Sequence, residues 1–156
     1  MLKSEKLMIK GVYDLVLTRK DGSVEKLHFE NIVPNTGLAA ITALLAADVG
    51  GTGFDYMALG TDDTAAAAAQ TALLAEISTN GGERTAGTGT QQTTTTTNDT
   101  FRLIVSWNFT GTLQLREIGV FNDPAAGDML SRQTMNLDVG NGDSLQGTYD
   151  FVIARA

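Results

Sequence analysis

The stretch FRLIVSWNF at residues 101–109, followed closely by LQLREIGVF at residues 113–121, decides the fold of this chain. In both segments apolar and polar residues nearly alternate, as in a strand with one face buried. Residues 129–135 and 145–153 have the same pattern, and Gly, Asn, Asp or Pro separates all four segments. Short strands at even spacing predict an antiparallel sandwich or barrel and argue against alternating helices and strands.

Four further strands are predicted in the first half of the chain and in its threonine-rich middle. Residues 12–19 and 24–30 form a predicted hairpin around Asp21-Gly22, because both turn positions tolerate a positive φ. The second of these strands alternates only in part, which favours an edge position or a bulge. The other two strands are residues 54–59 and about 90–97, the latter because threonine is β-branched.

One or two short helices complete the prediction. Apolar residues recur at helical spacing over residues 38–47, with Asn35 or Thr36 as the candidate cap. Residues 71–77 follow five alanines and predict a second helix, unless the alanine run is a surface loop. The patterns together predict a mainly all-β fold: an antiparallel, jelly-roll-like β-sandwich of about eight strands with one or two short helices.

The chain has 156 residues, enough for a single domain with a buried core. We expect residues 1–10 to form an N-terminal arm and residues 11–156 to form one β-sandwich domain. The net charge is −7, yet every lysine lies within the first 26 residues, and the chain after residue 30 carries five arginines against thirteen acids. Such an acidic body does not suit nucleic-acid phosphates. The slightly basic arm suits an acidic neighbour, such as the body of another copy.

Composition argues against several kinds of site. The chain has no cysteine, which excludes disulfides, thiolate metal sites and cysteine nucleophiles. The single histidine, His28, lies in a predicted strand without a paired group, so no metal, cofactor or catalytic residue is predicted. No stretch suits a membrane span or a signal peptide, and we expect a protein retained in the cytoplasm until assembly or lysis.

Three acidic positions have structural interpretations. Asp62 and Asp143 lie in predicted turns, where Asp side chains usually bond to nearby backbone. Glu117 follows Arg116 in an otherwise apolar strand, and alternation places the two on opposite faces. Whichever points inward needs a partner, so we expect an ion pair or a backbone hydrogen bond across the sheet.

A set of short blocks within residues 30–156 resembles small virion structural proteins of tailed bacteriophages, a family often labelled as tail-fibre or head-decoration proteins. The blocks are YMALGT at 56–61, TALLAEI at 71–77, Arg84, NDT at 98–100, REIGVFN at 116–122, MLSR at 129–132 and NGD at 141–143. The resemblance implies a β-sandwich that assembles in many copies on a virion. It leaves positions on the head and on the tail both open.

The favoured hypothesis is a non-enzymatic capsid decoration, or cement, protein that binds and stabilises the outer surface of the head shell. Its expected partners are the major capsid protein or other virion proteins, and further copies of itself, with a trimer favoured and with no nucleic acid or membrane. The candidate contact residues lie in the arm and in the threonine-rich segment 88–97; they are Lys3, Lys6, Lys10, Thr93, Thr94 and Thr95.

Two alternatives stay open. A tail or baseplate component, including a fibre attachment or receptor-binding domain, fits the same resemblance, although the chain has no long repetitive shaft. A carbohydrate-processing enzyme needs two carboxylates in different environments. Asp55, Glu76 and Glu117 are candidates for it, but no spacing singles out two of them.

Overall fold

Two antiparallel sheets form a sandwich in the computed structural model, which describes residues 6–46 and 51–155. Within these residues the elements are β1 (Leu7–Thr18), β2 (Val24–Glu30), α1 (Asn35–Leu45), β3 (Tyr56–Gly60), β4 (Thr85–Ala86), β5 (Thr88–Gln92), β6 (Thr100–Asn108), β7 (Leu113–Phe121), β8 (Met129–Val139) and β9 (Ser144–Arg155). One sheet has the order β2-β1-β9-β6-β5 and the other has the order β4-β3-β7-β8. The predicted all-β sandwich is confirmed, and the short β4 is the strand that the sequence did not reveal.

The core lies between the two sheets and explains the alternation seen in the sequence. Tyr13, Leu103 and Tyr149 point inward from the first sheet, and Leu59 and Ile118 meet them from the second. All five side chains are inaccessible to solvent. Removing such apolar surface from water is the main force that holds the two sheets together.

The first hairpin and its edge position agree with the prediction. The N–H of Arg19 donates to the carbonyl of Ser23 at 2.8 Å, and Gly22 has φ +86°, which a glycine adopts without strain. β2 lies at one edge of the first sheet. Its charged residues there, among them Lys26 and Glu30, disfavour pairing with another chain along that edge.

Helix α1 begins at Asn35, earlier than predicted, and it ends at Leu45, while Ala47 of the predicted helix lies outside the described residues. The predicted cap is wrong, because Pro34 occupies the cap position and no side chain caps the helix. Asn35 and Thr36 have tertiary partners instead. The N–H of Asn35 donates to the carbonyl of Ala68 at 2.9 Å, and the Thr36 hydroxyl bonds the backbone of β8.

The predicted second helix over residues 71–77 is wrong. The N–H groups of Leu74 and Ala75 donate to the Glu117 carboxylate at 3.1 and 2.7 Å. The N–H of Ile77 donates to the carbonyl of Leu59 at 2.8 Å. Tertiary acceptors therefore hold this backbone in an irregular path against the second sheet, despite its alanine-rich composition.

The predicted strand at residues 90–97 is correct only in its first part. β5 pairs with β6 as far as Gln92 opposite Thr100. The threonines that follow, residues 93–97, form a turn that we call the threonine turn. Asp99 holds it by accepting the N–H groups of Thr94, Thr95 and Thr96 at 2.8, 2.9 and 2.7 Å. These bonds take the donors that a strand would present to its neighbour.

Candidate interaction surface

β1 and β9 run past the rest of their sheet as a two-stranded ribbon. Leu7 lies opposite Arg155 and Lys10 lies opposite Val152. β2 pairs with β1 only from Val12 onwards, and β6 pairs with β9 only up to Val152. Residues 7–10, assigned to the arm from the sequence, are therefore part of the sheet, while residues 1–5 lie outside the described part of the chain.

The inner face of this ribbon is apolar, and among the described residues it is open to solvent. Tyr13 points into the core, so alternation along β1 places Leu7 and Ile9 on the same face. Leu7 is 67% exposed, Ile9 41% and Ile153 43%. A patch of this kind, continuous with the core but open to water, is a candidate site of association.

Ile153 lies where three cavities meet. A cavity of about 410 Å³ extends from it across Phe101 to β5. A second, of about 360 Å³, is lined by apolar side chains of α1 and the core, including Leu44 and Phe54. A third, of about 370 Å³, separates Leu7 from the threonine turn. We call the ribbon (residues 7–10 and 152–155) together with these three cavities the open end.

Asp99 orders the threonine turn beside the open end. The N–H groups of Thr96 and Thr94 hold the pKa of its carboxyl well below the usual range. Thr96 and Thr97 of this turn line the third cavity, opposite Leu7. The arm and the threonine-rich segment, which the sequence singled out separately, thus meet at one end of the sandwich.

The predicted contact residues have different surroundings. Lys3 lies outside the described residues, and Lys6 is exposed at the start of the ribbon. Lys10 forms an ion pair with Glu30 of β2. Thr93, Thr94 and Thr95 are exposed and lie in the threonine turn. The Thr94 hydroxyl bonds the Thr100 hydroxyl at 2.7 Å, and the Thr95 hydroxyl donates to Asp99 at 2.8 Å.

Sequence reasoning missed Leu7, Ile9 and Ile153 as members of the surface. A signal for the first two was present, since Leu7 and Ile9 are in phase with the core residues Tyr13 and Leu15 of the same strand. Assigning residues 1–10 to an arm concealed this phase.

A buried ion pair lies on the outer face of the second sheet. Glu117 and Arg132 are 0% and 1% exposed, and the Arg132 Nε lies 2.7 Å from Glu117 Oε2. Arg132 also donates to the carbonyl of Thr64 at 2.8 Å and to Gln70 Oε1 at 3.1 Å. The ion pair predicted for Glu117 across the sheet is confirmed, whereas its backbone bonds go to Leu74 and Ala75 and not across the sheet. Together these contacts tie residues 61–77 to the sheet.

Arg84 holds the connection between β7 and β8 in place. It bonds both carboxylate oxygens of Glu76, at 2.9 and 2.6 Å, and the carbonyls of Asp123 and Ala126 at 2.9 and 2.8 Å. Its guanidinium carbon lies 3.7 Å from the centroid of the Phe121 ring, within the range of a cation–π contact. One side chain thereby joins three parts of the chain.

The turn roles predicted for two aspartates are confirmed. Asp62 accepts the N–H of Thr64 at 2.8 Å. Asp143 accepts the N–H groups of Gly140 and Lys20, each at 2.9 Å, so it joins the turn of the first hairpin to the connection between β8 and β9. The first of these donors makes the largest contribution to lowering the pKa of the Asp143 carboxyl.

Two more polar groupings lie on the first hairpin. Arg19 contacts both Glu25 and Asp143, each at 3.1 Å. His28 Nδ1 lies 2.7 Å from Asp14 Oδ1, and both side chains are exposed. Over residues 6–46 and 51–155, no group of three or more His, Cys, Asp and Glu side chains is placed to hold a metal ion. In the same ranges no helix has the length and apolar character needed to cross a membrane.

Comparison of the chain with protein-family models, with curated proteins and with solved structures finds no match in any of the three. Fold and surface together define the class: an antiparallel two-sheet β-sandwich with an apolar end that the described residues leave exposed.

Proposed function

We propose that this protein is a non-enzymatic structural subunit of a tailed-phage virion, and that it decorates the outer surface of the head shell. The observation that carries the proposal is the open end, where Leu7, Ile9 and Ile153 continue the apolar face of the core into solvent. An exposed apolar strand invites uncontrolled association unless a partner covers it. Repeated sites on a symmetric shell would also multiply weak contacts of this kind.

The residues that carry the resemblance to phage virion proteins are also those that hold this sandwich together. Glu117 and Arg132 form its buried ion pair. Arg84 joins irregular segments, and Asp99 and Asp143 order turns. This supports the proposal, because the resemblance then reflects a shared scaffold for assembly and not a shared active site.

The three carboxylates considered for carbohydrate chemistry lie in three different environments. Glu117 is buried against Arg132, and Glu76 is bonded to Arg84. Asp55 lines the largest cavity of the open end. A catalytic acid must reach the substrate, and the buried position of Glu117 prevents this. The burial of Glu117 and the bonds that hold Glu76 to Arg84 favour a structural role over an enzymatic one.

The number of copies in the virion tests the proposal. Quantitative mass spectrometry of purified virions gives the ratio of this protein to the major shell protein. Shell-wide decoration predicts roughly one copy per shell subunit, as the repeated sites of a symmetric assembly require. A ratio of only a few per hundred would favour the tail or baseplate alternative and overturn decoration. Absence from purified virions would overturn the virion role as a whole.

A further inference from the structure

We propose that residues 7–10 of β1 pair edge to edge with the same residues of a second copy of the chain, antiparallel, about a two-fold axis at Met8. This gives a two-fold pair, which differs from the trimer favoured from the sequence. The pairing is a property of the purified protein and does not depend on where it sits on a virion. Its failure and the failure of the proposed function are therefore separate results.

The free edge of β1 has the backbone groups that such pairing needs. The N–H of Asn31 donates to the carbonyl of Gly11 at 3.1 Å, on the side where β2 lies. Backbone groups alternate in direction along a strand, so the N–H and C=O of Ile9 and Leu7 point to this same side. In the described ranges no strand pairs with them there. An open edge of this kind is a template for strand addition.

One register pairs the free backbone groups of both Leu7 and Ile9 on both chains. When Leu7 lies opposite Ile9 of the second copy, Ile9 lies opposite Leu7 of that copy, and each pair can exchange two backbone hydrogen bonds. Met8 then lies opposite Met8 of the second copy. The same patch is used on both chains, so the contact closes as a dimer and does not grow into a filament.

This register also brings the apolar inner faces of the two ribbons side by side. Leu7 and Ile9 meet their counterparts across the axis, and Ile153 lies directly opposite Ile9 within the same sheet. The cluster thus contains three apolar side chains from each copy, each more than one-third exposed in the single chain. Removing apolar surface from water stabilises such a contact by about 25 cal/mol per Å².

On the outer face this register places Lys6 of each copy opposite Lys10 of the other, with Glu30 beside each lysine pair. In this register β2 and β1 of the second copy lie one after the other along the same edge of β1. Glu30 lies opposite Val12, and Lys6 of the second copy would lie opposite Lys10, two positions further along and on the same outer face. Glu30 already forms an ion pair with Lys10. Lys6 of the second copy brings a further cation to this carboxylate, which offsets the repulsion between the two lysines.

Single cysteines report this pairing directly, because the chain has no cysteine of its own. Met8→Cys places two thiols in a non-hydrogen-bonded antiparallel pair, where Cα atoms are about 4.5 Å apart and a disulfide can form. Met8 is 48% exposed, so the substitution spares the core. The control is Val24→Cys, which is 57% exposed and lies at the far end of the sheet.

Under mild oxidation of the purified protein we expect roughly tenfold more covalent dimer, or a larger excess, from Met8→Cys than from Val24→Cys, because pairing raises the effective thiol concentration. A mixture of Lys6→Cys and Lys10→Cys chains should give disulfides mainly between the two variants. Equal dimer yields from Met8→Cys and Val24→Cys would overturn the proposal. Homodimers of Lys6→Cys or Lys10→Cys as abundant as those of Met8→Cys would overturn the register.

Discussion

At the scale of single residues, Glu117 shows what the sequence could and could not predict. A carboxylate in an apolar strand indicated a buried group that needs a partner, and the structure confirms it. Arg132 could not be identified as that partner, because the register of β7 and β8 shifts between Leu115 and Glu117. The bulge marks the sequence only as a change of phase, from Leu113 and Leu115 to Ile118 and Val120, and this does not tell which residue of β8 lies beside Glu117.

Substitution of Arg132 by methionine tests the buried pair. Arg132→Met leaves the Glu117 carboxylate buried without its cation, so we expect the free energy of unfolding to fall by about 3–5 kcal/mol. Urea unfolding measures the change. The control is Arg116→Met, whose partner Asp138 is largely exposed, and a loss of no more than about 1 kcal/mol is expected there. Equal unfolding midpoints for the two variants would show that the buried pair contributes little.

Asp99→Asn tests the threonine turn. The variant loses the charged acceptor of three N–H groups, so amide hydrogen exchange of Thr94, Thr95 and Thr96 should become faster, while Asp63→Asn should leave it unchanged. Because the pKa of Asp99 is lowered in the folded state, its stabilising effect is present above the ordinary value of about 3.9 and is lost as the pH falls towards the folded value. Protection should therefore decrease in acid in the original protein only. Identical exchange rates of these three amides in the original protein and in Asp99→Asn at neutral pH would contradict the role of Asp99 in the turn.

At the scale of elements, alternation predicted strands well and composition predicted irregular segments poorly. β2 and β7 have the predicted bounds. Residues 71–77 and 93–97 have the propensities of a helix and a strand, yet Glu117 and Asp99 bind their backbone and impose other conformations. Glu117 is distant in sequence from residues 71–77, and Asp99 lies just after residues 93–97. Local propensity therefore decides only where no tertiary acceptor competes for the backbone.

Gly60→Ala tests how closely residues 61–77 approach the second sheet. A Cβ at Gly60 would lie 2.8 Å from the carbonyl oxygen of Ala75 and would overlap the Glu117 carboxylate. We expect a loss of roughly 1–3 kcal/mol in the free energy of unfolding, as for overpacked cores. Gly140→Ala is the control, since the nearest atom to its Cβ is 3.9 Å away. Thermal unfolding at the same temperature for both variants would argue against the close approach.

At the scale of the whole molecule, a pair of tyrosines from the first sheet lies at the centre of the core, and one of them bonds to the opposite sheet. The rings of Tyr13 and Tyr149 lie 4.8 Å apart, and the Tyr13 hydroxyl bonds the Ser131 hydroxyl of the opposite sheet. Burial raises the pKa of both phenols. They contribute stability below the ordinary tyrosine value of about 10, and this contribution is lost as the pH rises above it.

Alkaline titration tests this central pair. Tyr13 and Tyr149 should form tyrosinate only when the sandwich unfolds, so this part of the tyrosinate absorbance should rise together with the loss of the circular dichroism of the strands. The double variant Tyr13→Phe/Tyr149→Phe has no such phenols to ionise, and its unfolding should shift to higher pH. Complete formation of tyrosinate in a protein that is still folded would contradict the burial of the pair.

For the candidate surface, the sequence predicted two regions and named their lysines and threonines, but it did not identify the apolar residues. The arm and the threonine-rich segment do meet at the open end. Leu7, Ile9 and Ile153 were not identified, because their exposure depends on where the neighbouring strands and the second sheet end. That boundary is a property of the assembled sandwich and is not encoded in the pattern of any single strand.

The central claim is that the open end is the surface through which this protein associates, and sedimentation of the purified protein tests it most directly. The double variant Ile9→Asp/Ile153→Asp places two charges in the apolar patch, and Ile104→Asp is the control, since Ile104 is 38% exposed on another part of the sheet. We predict that the original protein and the control sediment with a mass greater than one chain, and that the double variant sediments as a single chain. A single-chain mass for the original protein at every concentration, or an unchanged mass for the double variant, would contradict the claim.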